Sequence, residues 1–157
     1  MKKIIAALLL CTALVAPVAA MAREVTIDAK LINYSGNSAY LAVYLTKPDG
    51  TYESTLWVSG TKQRYLGDLS GWVSAMRDSG ATSLSLDGIT GASVGGGQTL
   101  TVKANLADAL IDAGYSIHVE TAVEHGGQYA DDAVAPLTST AQKVDGTGYV
   151  STLSVSM

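Results

Sequence analysis

Residues 40–47 read Tyr-Leu-Ala-Val-Tyr-Leu-Thr-Lys and are apolar on both sides of an extended chain. Successive side chains of a strand point to opposite faces, so Leu41, Val43 and Leu45 share one face, and Tyr40, Ala42 and Tyr44 the other. A strand with two apolar faces belongs in the middle of a sheet, because either face in water would forfeit its burial. Residues 25–31 show the simpler pattern: Val25, Ile27, Ala29 and Leu31 alternate with polar residues, as in a half-buried strand. The cluster Ser35-Gly36-Asn37-Ser38 and the sequence Pro48-Asp49-Gly50 supply turns, and residues 51–58, with Trp57, resume the extended pattern. These three segments predict a meander.

Further strands are expected over 98–104 through Leu100 and Val102, and over 115–124 through Ile117, Val119, Thr121 and Val123. A closing strand over 149–155 runs through Tyr149, Ser151, Leu153 and Val155. Residues 105–114 fit either a helical turn or an irregular crossover, and 130–145 read as a long polar loop with pieces of edge strand. Residues 68–79 differ, since Leu69, Trp72, Val73 and Met76 recur at the helical period. Asp68 can cap that helix, Gly71 weakens it by about 1 kcal/mol relative to Ala, and Gly80 suits its stop. It is expected to cover an open end or edge of the sheet. The whole predicts an all-β fold: an immunoglobulin-like antiparallel β-sandwich with one short covering helix. An outer-membrane barrel would need longer strands and aromatic girdles, whereas this chain has no Phe, and 130–145 contains no such strand.

Ahead of these strands, Met1-Lys2-Lys3 precedes an apolar run from Ile4 to Val15, and Ala20-Met21-Ala22 offers a small-residue exit. This is the pattern of a secretory signal peptide, and the apolar run is too short to span a bilayer. Residues 1–22 are expected to be cleaved, leaving 23–157 as one domain in the periplasm without membrane insertion. The single Cys, Cys11, leaves with the leader, so burial and not disulfides must hold the fold. Without Lys2 and Lys3, eight basic residues face 14 acidic ones, a net charge of −6. An acidic chain with no basic cluster argues against nucleic acid as a partner.

The motif with the most chemical content is Asp87-Gly88-Ile89-Thr90-Gly91-Ala92-Ser93. It follows the Asp-x-x-(Ser/Thr)-Gly-Ala-(Ser/Thr) pattern on which exported bacterial proteins receive covalent flavin mononucleotide (FMN). Such an acceptor needs a hydroxyl nucleophile and small neighbours that a transferase can grip. Ser93 supplies the hydroxyl; Asp87, Thr90, Gly91 and Ala92 form the recognition frame. Gly91 can take positive φ without a Cβ clash, and Gly95, Gly96 and Gly97 are expected to keep the loop pliable. The same residues also read as an ordinary loop, because Asp-Gly and Thr-Gly are common turn dipeptides, and a glycine-rich loop can bind phosphate through its amides.

Ordered blocks extend this along the chain: 40–44 with Pro48-Asp49-Gly50, then Thr55-Leu56-Trp57, Trp72, 87–93, 114–120 and Glu124-His125-Gly126-Gly127. In this order the chain resembles domain-of-unknown-function family 2271. The resemblance implies an exported single domain and, as partners, a membrane flavoprotein of the PepSY type and the transferase that attaches flavin to exported proteins. It departs from the family at Ser93, commonly Thr there, and at Gly95, where flavin acceptor sites often carry a second hydroxyl.

Two other constellations carry possible chemistry. His118, Glu120 and Glu124 share one strand face, with His125, Asp131 and Asp132 nearby, which suggests either a metal site or a solvated strand face. Trp57, Trp72 and Tyr44 suit a stacking platform for a flavin ring or, more ordinarily, core. No Gly-x-Ser-x-Gly elbow is present, and no nucleophilic triad is evident, so the chain reads as non-catalytic. The leading expectation is a periplasmic accessory protein of an extracytoplasmic flavin-linked electron-transfer system, carrying covalent FMN on Ser93. The alternatives are a cofactor-free binding module for a membrane protein and a metal-binding periplasmic protein.

Overall fold

A computed structural model describes residues 21–60, 62–81 and 86–157, so all but the last two residues of the expected leader lie outside it. The strands are β1 (Ala22–Leu31), β2 (Ala39–Thr46), β3 (Tyr52–Ser59), β4 (Thr90–Gly91), β5 (Thr99–Ala107), β6 (Ser116–Val123), β7 (Gln128–Pro136), β8 (Gln142–Asp145) and β9 (Val150–Ser156). They form two sheets, ordered β5-β1-β9-β8 and β4-β3-β2-β6-β7. Every pairing is antiparallel except the short parallel contact of β4 with β3. The architecture is the expected all-β sandwich.

The inner faces of the sheets make the main core. Val25, Ile27, Ala29 and Leu31 of β1 meet Leu41, Val43 and Leu45 of β2 and Ile117 and Val119 of β6, and all of these are buried. Each large aliphatic side chain there contributes about 1.5–3 kcal/mol by leaving water. β2 lies between β3 and β6 and is buried at every position, as its two apolar faces require.

The expected meander does not form. β2 and β3 are a hairpin, but β1 crosses to the other sheet and pairs with β5 and β9. Alternation reports that a strand has a buried face, not which partner it takes. Residues 130–145 hold the expected edge strands, β7 and β8, but far less loop: β7 alone runs nine residues, and its inward residues Ala133 and Ala135 are small.

The helix, α1 (Ser70–Asp78), follows a 3-10 turn at Gln63–Asp68 and lies on the outer face of the five-stranded sheet, not at an end or edge. There Leu69 and Trp72 bury Tyr40, Ala42 and Tyr44 in a second apolar cluster, and the Trp72 indole donates to Thr55 Oγ1 at 2.9 Å. Asp68 does not cap the helix. Its first amides donate instead to a carboxylate from another strand: Gly71 N to Glu120 Oε1 at 3.0 Å and Trp72 N to Glu120 Oε2 at 2.5 Å. The helix-weakening Gly71 is thereby explained, since a Cβ there would stand 2.8 Å from Ala130 Cβ and 2.9 Å from Glu120 Oε2. Gly80 ends the helix at φ 81°, as expected.

Candidate functional site

The 87–93 segment is built around the end of β3. Asp87-Gly88 makes a turn with Gly88 at φ 76°, closed by Ile89 N donating to Leu86 O at 3.2 Å. Val58 N donates to Ile89 O at 2.9 Å, and Gly60 N donates to Gly91 O at 2.8 Å. Past the end of β3, Val94 and Ala39 exchange hydrogen bonds of 2.9 and 2.7 Å. The segment is thus fixed at both ends, with Ala92 and Ser93 bridging from β4 to the start of β2.

The glycines here serve packing more than freedom. Gly91 does not use positive φ but sits in β4, where a Cβ would stand 2.6 Å from Trp57 Cζ2, so glycine is needed for close packing. Nor is the 95–97 run loose: Gly95 N donates to Gln98 Oε1 at 2.9 Å, Gly97 N donates to Ile32 O at 2.8 Å, and Gly96 lies against the Tyr34 backbone. Asp87, Thr90 and Ala92 are exposed, while Gly91 and Ser93 are half-buried. The structure therefore brings the five expected site residues onto one short, held stretch of surface, and Ser93 is not sealed in the interior.

Beside this stretch lies a cleft of about 490 Å³. The motif side contributes Leu86, Asp87, Thr90, Gly91 and Ala92; the facing side contributes Gly60, Gln63 and Leu66. Its volume lies in the range of about 300–1,000 Å³ usual for small-molecule sites. Ser93 is half-buried and follows Ala92, the last motif residue on the cleft lining.

Of the His and carboxylate constellation only His118 and Asp131 pair; the other members are engaged elsewhere. Asp132 is fully buried and accepts Gly148, Tyr149 and Val150 amides at 2.7–2.9 Å, the Thr147 amide at 3.1 Å and the Thr121 hydroxyl at 2.5 Å. It is a structural anchor for the β8–β9 turn. Glu120 is committed to α1, and burial pushes its carboxyl above the usual range against the pull of the Trp72 and Gly71 amides. Glu124 accepts the Tyr65 hydroxyl at 2.5 Å, a bond that lowers its carboxyl. His125 occupies the β6–β7 turn at φ 61°. Among the described residues no three His, Cys, Asp or Glu side chains are grouped to hold a metal ion.

One arrangement was not evident from spacing. His118 Nδ1 lies 2.8 Å from Asp131 Oδ1, and its Nε2 lies 3.0 Å from Thr46 Oγ1, while the ring stacks on Tyr44 with centroids 5.1 Å apart. Burial, then the nearby Asp131 and Glu120 carboxylates, push the Tyr44 phenol upward. The hydroxyl–imidazole–carboxylate line has triad connectivity, but Thr46 is only 4 % exposed and offers a substrate no approach. Alternation in β2 and β6 gave the face of each residue, but only the strand register brings Thr46 and His118 together. The aromatic platform is core: Trp72 and Tyr44 are buried, and Trp57 lies half-buried against Gly91.

Comparison with known proteins agrees with the sequence resemblance. The chain belongs to the family described as predicted periplasmic protein (DUF2271), whose sequence model matches residues 22–152. No curated protein and no solved structure matches it. No helix among the described residues is long and apolar enough to cross a membrane.

Proposed function

We propose that this member of the family is a periplasmic accessory protein of an extracytoplasmic flavin-linked electron-transfer system, with Ser93 as the acceptor of covalent FMN. The observation that carries this reading is the placement of the whole 87–93 motif on a surface stretch beside a cleft. In the transfer, Ser93 Oγ attacks the FMN phosphorus of a flavin adenine dinucleotide donor. The new P–O ester forms as the pyrophosphate bond breaks, AMP leaves, and the hydroxyl proton passes to a base of the transferase. Tethering keeps a redox cofactor from diffusing away, and the bound flavin supplies the redox chemistry. The protein supplies position: Gly91 and Ala92 keep the approach to Ser93 narrow and low. The partners in this reading are the transferase and a membrane flavoprotein of the PepSY type.

Co-expression with a flavin transferase, followed by intact-mass measurement, is the test. The expected result is the mass of one FMN less water on the wild type and none on Ser93→Ala. An unmodified wild type, or equal modification of the variant, would remove the covalent reading.

A cofactor-free binding module is supported by a different place, a shallow hollow of about 600 Å³ on the four-stranded sheet. Hydroxyl and charged side chains line it, among them Asp28, Lys30, Thr101, Lys143 and Thr152. That reading predicts a colourless protein whose capture of its membrane partner survives Ser93→Ala but weakens on charge reversal at Lys30 and Lys143.

A further inference from the structure

Resting on the flavin reading above, we infer that the cleft between the 3-10 turn Gln63–Asp68 and the 87–92 segment is a noncovalent seat for the flavin's ring system. The phosphate remains outside it, at Ser93. Charge sorts the two ends of the cofactor. Among the described residues Asp87 is the one ionisable side chain on the cleft lining, and it is acidic. Among the described residues no cation lines the cleft to receive a phosphate, and holding the anionic phosphodiester beside a carboxylate is repulsive. The oxidised ring system is uncharged and planar, with two apolar faces and a hydrogen-bonding edge.

The lining suits that shape. Leu66 and Leu86 offer apolar contact to ring faces, and Gln63 and Thr90 offer donors and acceptors to an edge. Two glycines hold the wall thin at this point. Gly60 lies at φ 131° directly against the Tyr40 ring, Gly91 lies against Trp57, and the two are joined by the Gly60 N to Gly91 O bond. The lining is therefore a fixed surface backed by packed aromatics, so little ordering entropy is lost when a rigid ring enters. Chain connectivity supplies the rest of the geometry. Ala92 is the last motif residue on the lining and Ser93 follows it, so a ribityl chain anchored at Ser93 starts at the cleft's rim.

Riboflavin is the probe that separates this seat from the tether, because it has the ring and the ribityl chain but no phosphate to transfer. Titrating riboflavin into the mature, unmodified protein should give saturable quenching of flavin fluorescence. Ser93→Ala should bind equally well. Gln63→Trp and Thr90→Arg, which fill the cleft from opposite sides, should each weaken binding at least tenfold while leaving circular dichroism and melting temperature unchanged. No saturable binding by the wild type, or undiminished binding by both filled variants, overturns the seat. The two ideas fail separately. Riboflavin binding by a protein that never accepts FMN would leave the seat standing and remove the tether. FMN attached at Ser93 but as open to iodide quenching as free FMN would leave the tether and remove the seat.

Discussion

The outer face of the four-stranded sheet carries Asp28, Lys30, Thr101 and Lys103, and no described residue covers it; that of the five-stranded sheet carries Tyr40, Ala42 and Tyr44 beneath α1 and the preceding 3-10 turn. On the bare face, polar groups meet each other or water: Thr101 Oγ1 donates to Asp28 Oδ1 at 2.5 Å, and Lys103 Nζ pairs with Glu24 at 2.8 Å. On the covered face a third layer has to be held in place, and a single buried carboxylate, Glu120, does much of the holding by accepting the first amides of the helix. The difference teaches that a sheet back is either written for water or written for a lid of helix, and that the composition of alternate residues records which. The cleft of the 87–92 segment lies beside the covered back, where the 3-10 turn supplies one wall.

The contrast can be broken most forcefully at Trp72. Trp72→Ala should cost about 3–5 kcal/mol, as for other large buried aromatics. Urea denaturation measures this, and a loss below 1 kcal/mol would mean the helical layer is not part of the cooperative unit. Glu120→Ala comes next, at about 1–3 kcal/mol, because the Gly71 and Trp72 amides lose their acceptor in a dry place. A loss of helical circular dichroism with the strands retained would sharpen the distinction between layers.

A smaller effect follows from the sign of the Glu120 shift. Burial holds its folded-state pKa above the ordinary value of 4.5, so the folded protein binds the proton more tightly than the unfolded chain. Its contribution is fully present below about pH 4.5 and is lost as pH rises through the folded-state value. Measured as wild type minus Glu120→Gln, stability should therefore decline as pH rises from 4.5; a difference that is flat or increases would contradict the assignment. Asp131 and Tyr44 face the same carboxylate, so the comparison belongs within the Glu120 pair of proteins and not between pH values of one protein. On the bare face, Thr101→Ala should change stability by no more than about 0.5 kcal/mol, and a larger loss in thermal melts would show that this back is also structural.

Much of the layer structure was legible in the chain. The two-sided apolar pattern of residues 40–47 identified a central strand, and the single-sided pattern of 25–31 identified a strand with one wet face. The helix was legible from Leu69, Trp72, Val73 and Met76. Its place and its cap were not, since Glu120 lies 48 residues beyond Trp72 and only the β6 register brings it under the helix. The length of β7 was missed because its inward residues are alanines and its motif Asp131-Asp132 looks like loop; Asp132 is in fact buried, its charge met by four turn amides and a hydroxyl. At the motif, local spelling located the stretch but misassigned the reason for Gly91, because close packing against Trp57 leaves no mark in neighbouring residues.

The pairing of β1 with both β5 and β9 has a consequence for how the chain folds as it is made. The first strand to emerge finds neither neighbour until residues near 100 and then near 150 have followed it. Contacts of such long sequence separation form slowly, since loop closure must precede any gain. The connectivity itself thus delays premature knitting of the sheet, and keeps the leading part of the polypeptide extended until the remainder has been synthesised.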